Sequence, residues 1–285
     1  MNKGVLIFAH NNREIDYALM ATVAGGLAKK NLKVPVSLAT DESTIDWMKE
    51  SNIYSKAQEV FEHIIIVDRP DADNTRKLHD GTSNVVVPFN NGNRCSVWDI
   101  TPYDRTLMID CDFLIFSNQI GEYWDIDEDI IISQSYNDIL GNRIGYHDRY
   151  VSDTGIKLYW ATMVMFTKNS ETKKFFDLIE YVRDNYKVLA DLYRFDDRIY
   201  RNDISFSVAK HIFNGFEEGT GIELPPVLSI PDKDILHSVE KDRLVFLSSP
   251  NVNEKFIALS TNGVDVHIMN KKSIVRNIDA LMELI

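Results

Sequence analysis

Residues 106–116, Thr-Leu-Met-Ile-Asp-Cys-Asp-Phe-Leu-Ile-Phe, place two carboxylates between two apolar stretches. Charged side chains rarely sit in such a run unless something compensates them. The first stretch reads as a buried strand ending near Asp110. Asp110 and Asp112 are two residues apart, so on an extended strand they point to one face. At a strand end both carboxylates can converge on one divalent cation, which removes their mutual repulsion. Hard oxygen ligands suit Mg²⁺ or Mn²⁺. The plainer alternative is a structural turn, and Cys111 between them reads as core filler.

The rest of the chain alternates strands and helices. Gly4–Ala9 is a compact apolar run, followed by the polar junction His10-Asn11-Asn12-Arg13. Residues 14–30 carry Ile15, Leu19, Val23 and Leu27 at helical spacing, with Gly25-Gly26 as a close-packing point. Val34–Ala39 and Ile64–Val67 are further strands, the latter closed by Asp68-Arg69-Pro70. Residues 68–94 form a long polar stretch, interrupted by Val85–Val87 as a short strand. Ile130–Ile132 and Leu158–Phe166 are strands, 170–194 the longest helix, and Ile204–Phe213 a helix that Asp203 caps. Leu244–Leu247 and Phe256–Leu259 are short strands, and a last helix runs from Lys272 to Leu284. This pattern predicts an α/β fold with a mostly parallel central sheet and flanking helices. The expected organisation is one domain over 1–285, in which 225–285 completes the site.

Composition narrows the function. Thirty-one basic residues against 43 acidic ones give a formal charge of -12, which disfavours a broad grip on phosphate backbones. No window reaches the length of a membrane span, and the first apolar run is too short for a secretory signal. Two cysteines outside any metal spacing point to a reducing cytosol. Neither Gly-x-Gly-x-x-Gly nor a P-loop is present.

A second constellation lies at Val264–Lys272. Alternation puts Asp265 and His267 on one side of a strand, and a neutral imidazole can complete a Mg²⁺ or Mn²⁺ shell. The plainer readings are a surface histidine and a lysine pair flanking a helix. Arg94 and Arg105 each offer a guanidinium fork for a carboxylate or a phosphate, or for an ordinary surface ion pair. Trp98 fits either the core or a lid.

The segment Pro102–Asp112 resembles the metal-binding segment of GT-A glycosyltransferases, in which an Asp-x-Asp after an apolar strand holds a divalent ion against a nucleotide-sugar diphosphate. Trp160–Phe166 resembles the acceptor-side strand of retaining, family-8-like members, with Ala161-Thr162 in place of the usual small polar residue and glycine. Arg201–Phe206 resembles the helix start where an acidic residue faces the sugar, without the usual glutamine. The resemblance implies a GT-A fold and a Mn²⁺- or Mg²⁺-dependent transfer from a nucleoside-diphosphate sugar to an acceptor hydroxyl, with retention. It implies Asp110, Asp112 and His267 as metal ligands and Lys271 as the contact to the departing diphosphate, with Lys272 as its alternate. It implies Ala9 and Asn11 near the nucleotide, to which Asp68 at the third strand's end would add a contact to base or ribose. Asp203 is then the candidate for orienting the sugar or facing its anomeric carbon.

For the acceptor, Tyr146, Arg149, Tyr150, Tyr193, Arg194, Arg198, Tyr200 and Arg201 suggest an aromatic, basic wall. Glycans or small hydroxylated molecules lead. The chain also resembles phage-encoded glycosyltransferases that decorate hydroxymethylcytosine in DNA, which would place it in the host cytoplasm. The alternatives are a nucleotidyltransferase acting on a sugar phosphate and a non-catalytic nucleotide-sugar- or glycan-binding protein.

Overall fold

The computed structural model describes residues 1–12, 14–68, 75–79, 83–89, 92–153, 155–196, 198–219, 221–249 and 255–285. Arg13, Arg69, Pro70, Asp71, Asp73, Asn74, Asp80, Gly81, Asn90 and Asn91 of the polar segments discussed above lie outside them. The chain opens with β1 (Lys3–Phe8), α1 (Tyr17–Leu32), β2 (Val36–Thr40), α2 (Glu42–Glu50), α3 (Tyr54–Val60) and β3 (His63–Ile66). A hairpin, β4 (Thr75–His79) and β5 (Asn84–Pro88), follows where the sequence suggested a loop with one short strand. Next come α4 (Val97–Ile100), β6 (Arg105–Ile109), β7 (Phe113–Leu114), β8 (Ile130–Ser133), β9 (Tyr136–Asp138) and β10 (Trp160–Thr167). The helices α5 (Ser170–Asp184), α6 (Tyr186–Tyr193) and α7 (Asn202–Phe213) precede β11 (Val227–Ile230), β12 (Ile235–Glu240), β13 (Arg243–Ser248), β14 (Ile257–Asn262) and β15 (Val266–Ile268). Two short helices, α8 (Lys271–Arg276) and α9 (Ile278–Met282), close the chain.

The central sheet has the order β3-β2-β1-β6-β10-β8. The joins from β3 to β6 are parallel, and β10 runs antiparallel to both neighbours. The fold is therefore mixed α/β with a mostly parallel central sheet and flanking helices. Alternation along the buried strands feeds two cores. Val5, Ile7, Leu38, Leu107 and Ile109 face α1, and Leu6, Phe8, Met108, Val164 and Phe166 face the aromatic side of α5 and α7. Among the described residues no helix is long and apolar enough to cross a membrane.

Three helices differ from the sequence reading. The expected last helix, Lys272 to Leu284, is divided at Asn277 into α8 and α9, because the backbone there leaves the helical region. The stretch 170–194 breaks at Asn185, whose backbone leaves the helical region. Asp203 is not the cap of its helix: Arg201 holds that position, and Asp203 lies in the first turn.

Tight packing fixes the first strand. A Cβ on Gly4 would fall 2.4 Å from Tyr103 Cζ, and Tyr103 is itself held by a 2.6 Å hydrogen bond to Ser37. Its ring is 1% exposed and has no room to retreat. Gly4→Ala is expected to cost about 1–3 kcal/mol by overpacking, read as a lower urea midpoint with an unchanged slope. An unaltered midpoint would show that the ring can yield. Gly25 and Gly26 act similarly, each accommodating a side chain, Phe61 and Ile285, within 2.6 Å of where a Cβ would stand.

A second sheet, β7-β15-β11-β9, joins the last third of the chain to the centre. β15 pairs antiparallel with β7 immediately after the acidic pair, and parallel with β11. Asp265 reinforces this join by accepting hydrogen bonds from the backbone of Phe116 and Ser117 at 2.7 and 2.8 Å. β12, β13 and β14 form an antiparallel meander outside it.

Candidate active site

The carboxyl ends of β1 and β6, neighbours in the parallel part of the sheet, open onto a cleft, the usual place for ligands in open α/β folds. β6 stops at Ile109, and the next residues turn: Phe113 N–H donates to the Asp110 carbonyl at 3.1 Å. The two carboxylates therefore converge through a β-turn, not through alternation along an extended strand as the sequence suggested. Asp110 N–H is fixed by the Thr162 carbonyl at 3.1 Å, and the Asp112 carbonyl accepts from Ile268 N–H at 2.9 Å. That second bond seats β15 beside the turn and carries His267 in.

Asp110, Asp112 and His267 form a cluster whose ligand atoms all lie within 4.8 Å of one another. His267 Nε2 is 3.3 Å from Asp112 and 3.8 Å from Asp110. Its Nδ1 is buried with no hydrogen-bond partner among the described residues. Asp112 is 3% exposed and pairs with Lys271, the first residue of α8. Asp110 pairs with Arg94, which also donates to the Ala161 carbonyl at 2.9 Å. Burial alone would raise the Asp112 pKa, but the Lys271 ammonium and His267 hold it well below the ordinary carboxylate value. The group is thus ionised throughout the neutral range. Its contribution to stability is complete above the ordinary value of about 4 and fades as pH falls through the lower folded value. Burial, with the Asp112 charge beside it, pushes the Cys111 thiol up to about 12, so it is not a nucleophile at neutral pH.

Two spaces that share Phe89, Arg94, Asp110 and His267 border the cluster. A narrow inner pocket of about 60 Å³ is lined by Ala9, His10, Tyr17, Phe89, Arg94, Asp110, Asp112, His267 and Lys271. A wider cavity of about 360 Å³ carries Lys77, Phe89, Arg94, Asp110, Trp160, Ala161, Thr162, Asn202, Asp203 and His267. Asp203 therefore lines the same cavity as two of the cluster residues, paired with its neighbour Arg201.

The other sequence-predicted residues are distributed unevenly. Ala9 lines the inner pocket. Asn11 turns its side chain to the start of α1, accepting from Ala18 N–H at 2.8 Å and donating to Asp16 at 3.0 Å. Asp68 is exposed after β3 and Lys272 is half-buried; neither lines the two spaces. Arg105 does not join the site. It begins β6 while Asp110 follows its end, a separation of about 16 Å at strand rise. Its guanidinium instead binds Thr167 Oγ1 and the carbonyls of Glu128 and Tyr123. Trp98 takes the core reading: half-buried, it packs against the aromatic core, its Nε1 donates to Thr172, and two lysines lie over its ring.

Of the predicted aromatic, basic wall, Tyr200 and Arg201 line the wider cavity, Tyr200 packed against Tyr186 and Arg201 paired with Asp203. Tyr146 and Tyr150 stack at 4.6 Å, and Arg198 pairs with Asp196.

Sequence reasoning missed His10. Its Nδ1 lies 2.9 Å from Asp41, and both are buried beside the inner pocket. Asp41 also caps α2, accepting from Thr44 N–H at 2.9 Å.

No protein-family model matches the chain, and no curated protein matches it. Among solved structures it is similar to the glycosyltransferase GlyE of Streptococcus pneumoniae TIGR4, at 13% identity over 74% of this chain and 43% of GlyE, with a TM-score of 0.41. It is similar to the galactosyltransferase LgtC, solved with donor and acceptor sugar analogues, at 14% identity over 73% of this chain and 70% of LgtC, with a TM-score of 0.44. It is also similar to TarS 1–349 of S. aureus, at 13% identity over 73% of this chain and 55% of that one, with a TM-score of 0.37. The match thus spans less than half the length of GlyE.

Proposed function

We propose that the chain is a divalent-metal-dependent glycosyltransferase that moves a sugar from a nucleoside-diphosphate sugar to an acceptor hydroxyl. The observation that carries this reading is the convergence of Asp110, Asp112 and His267 at the carboxyl end of β6, with Asp110 and His267 on one cavity with Asp203. Two carboxylate oxygens and one imidazole nitrogen are a donor set that fits Mn²⁺ or Mg²⁺. Bound there, the ion supplies Lewis-acid stabilisation of the leaving diphosphate.

The chain's own residues supply the rest. Lys271 brings an ammonium to the oxygens that gain charge as the glycosidic bond breaks. Arg94 fixes Asp110 and can add its fork to the sugar or a phosphate. The cavity of about 360 Å³ beside Asp110 and His267 is the space large enough to receive the donor. Asp203, which lines the wider cavity, orients the sugar. The preferred acceptor is a glycan or a small hydroxylated molecule. A DNA acceptor is disfavoured because Arg198 and Arg201 already hold carboxylates and the chain carries a charge of -12.

The test is thermal denaturation with UDP, GDP, ADP, CDP and their sugars, each with and without Mn²⁺, followed by product analysis. A matching donor at 100 times its Kd is expected to stabilise the fold by about 2.7 kcal/mol, several degrees, with Mn²⁺ present, and by less without it. Turnover should release a nucleoside diphosphate. Release of pyrophosphate from a nucleoside triphosphate would instead establish a nucleotidyltransferase. Binding with no turnover on any glycan, small-molecule or hydroxymethylated-DNA acceptor, and no donor hydrolysis, would establish a binding protein.

A further inference from the structure

Four charged side chains line the inner pocket, and they cancel. Arg94 is paired with Asp110, and Lys271 with Asp112. Arg94, Asp112 and Lys271 are 7%, 3% and 5% exposed, so water screens little of their charge. A divalent cation arriving alone would turn this neutral, buried group into one carrying two positive charges. It would also meet the Lys271 ammonium on the same carboxylate. Like charges in a water-poor pocket repel strongly. A nucleoside diphosphate brings negative charge and restores the balance.

The two cations are held differently. Arg94 is also anchored to the Ala161 carbonyl at 2.9 Å. Lys271 Nζ has Asp112 as its one partner among the described residues, on an unbranched side chain at the start of a short helix. Lys271 is the group that can move.

We infer that Lys271 occupies the cation's place on Asp112, so that cation and diphosphate enter the site as a pair while Lys271 passes from the carboxylate to the phosphate. This rests on the transferase reading and adds to it a coupling that the ligand set alone does not require. The coupling is reciprocal: whatever factor the diphosphate lends to the cation, the cation lends to the diphosphate.

The test is a Mn²⁺ titration of the full chain, reading free Mn²⁺ by its paramagnetic resonance signal. It is run alone and with each of UDP, GDP, ADP and CDP, with correction for the Mn²⁺–nucleotide complex in solution. Mn²⁺ alone is expected to bind weakly, and the matching diphosphate to tighten it by roughly 5–150-fold. Lys271→Met is expected to bind Mn²⁺ alone at least about tenfold tighter than the native chain, with most of the coupling lost. Lys271→Gln, which keeps a hydrogen-bond donor beside Asp112, should behave the same way. Equal Mn²⁺ affinity with and without every diphosphate overturns the inference, and this measurement needs no variant to fold. Folded Lys271 variants that bind Mn²⁺ no tighter also overturn it. A native chain that binds Mn²⁺ under no condition would instead bring down the transferase reading, and the inference with it.

Discussion

Asp112→Asn is expected to lower sugar transfer at least about 100-fold, the scale of losing one preorganised charged group from a transition-state site. The change removes a ligand charge while keeping the side chain's shape. It does a second thing that the sequence did not reveal. Lys271 is 5% exposed and would be left buried against a neutral amide. Breaking one partner of a buried pair costs about 3–5 kcal/mol. A loss of activity alone would therefore be ambiguous. Asp112→Asn combined with Lys271→Met separates the effects: it removes the orphaned charge, so stability should recover while activity does not. The double-mutant cycle then reports a coupling energy of the same sign as the ion pair. Full activity in a folded Asp112→Asn chain would remove Asp112 from the mechanism. Equal stabilities of single and double variants would remove the ion pair.

The parallel half of the sheet was legible because its strands are long and continuous in apolar residues. Gly4–Ala9 and Thr106–Ile109 read as buried strands, and both are. Of the second sheet only β15 was legible, as an alternating strand around His267. β7 has two residues and β9 three, too short for a period to emerge. They exist because distant backbone pairs with them. The site shows the same division. Asp110 and Asp112 were visible as a local pair, and His267 and Lys271 as a late cluster. The turn was visible only as an alternative to a metal site, whereas the structure has the turn itself bring the two carboxylates together. Arg105 misled because residue type and nearness in sequence say nothing about which end of a strand a side chain occupies. His10 was overlooked because its partner Asp41 comes 31 residues later.

The second large effect expected is on stability, at Arg143. This guanidinium bridges Asp138 and Asp234, whose side chains are 1% and 0% exposed. Burial opposes its charge, yet the two carboxylates hold its pKa above the ordinary value. Asp138 ends β9, and Asp234 precedes β12 and also accepts from Ser248 at 2.9 Å. The Asp234 carbonyl in turn accepts from Asn270, whose side chain caps α8 at Ser273 N–H. One guanidinium thus ties the edge of the second sheet to the helix that begins with Lys271. Arg143→Met would leave two buried carboxylates facing each other without a counter-charge, at a cost of about 3–5 kcal/mol. The pH dependence identifies the cause. Unpaired buried carboxylates have raised pKa values, so the variant's deficit is complete above those values and narrows as pH falls and both groups take up protons. A deficit of the same size at every pH would mean that packing of the arginine side chain, not its charge, held the segment. The replacement Asp234→Asn supplies the matching measurement. It relieves one of the two carboxylates, so adding it to Arg143→Met should recover part of the lost stability, whereas in the native background it should only weaken the clamp. If the double variant is no more stable than Arg143→Met, repulsion between the two carboxylates is not what Arg143 suppresses.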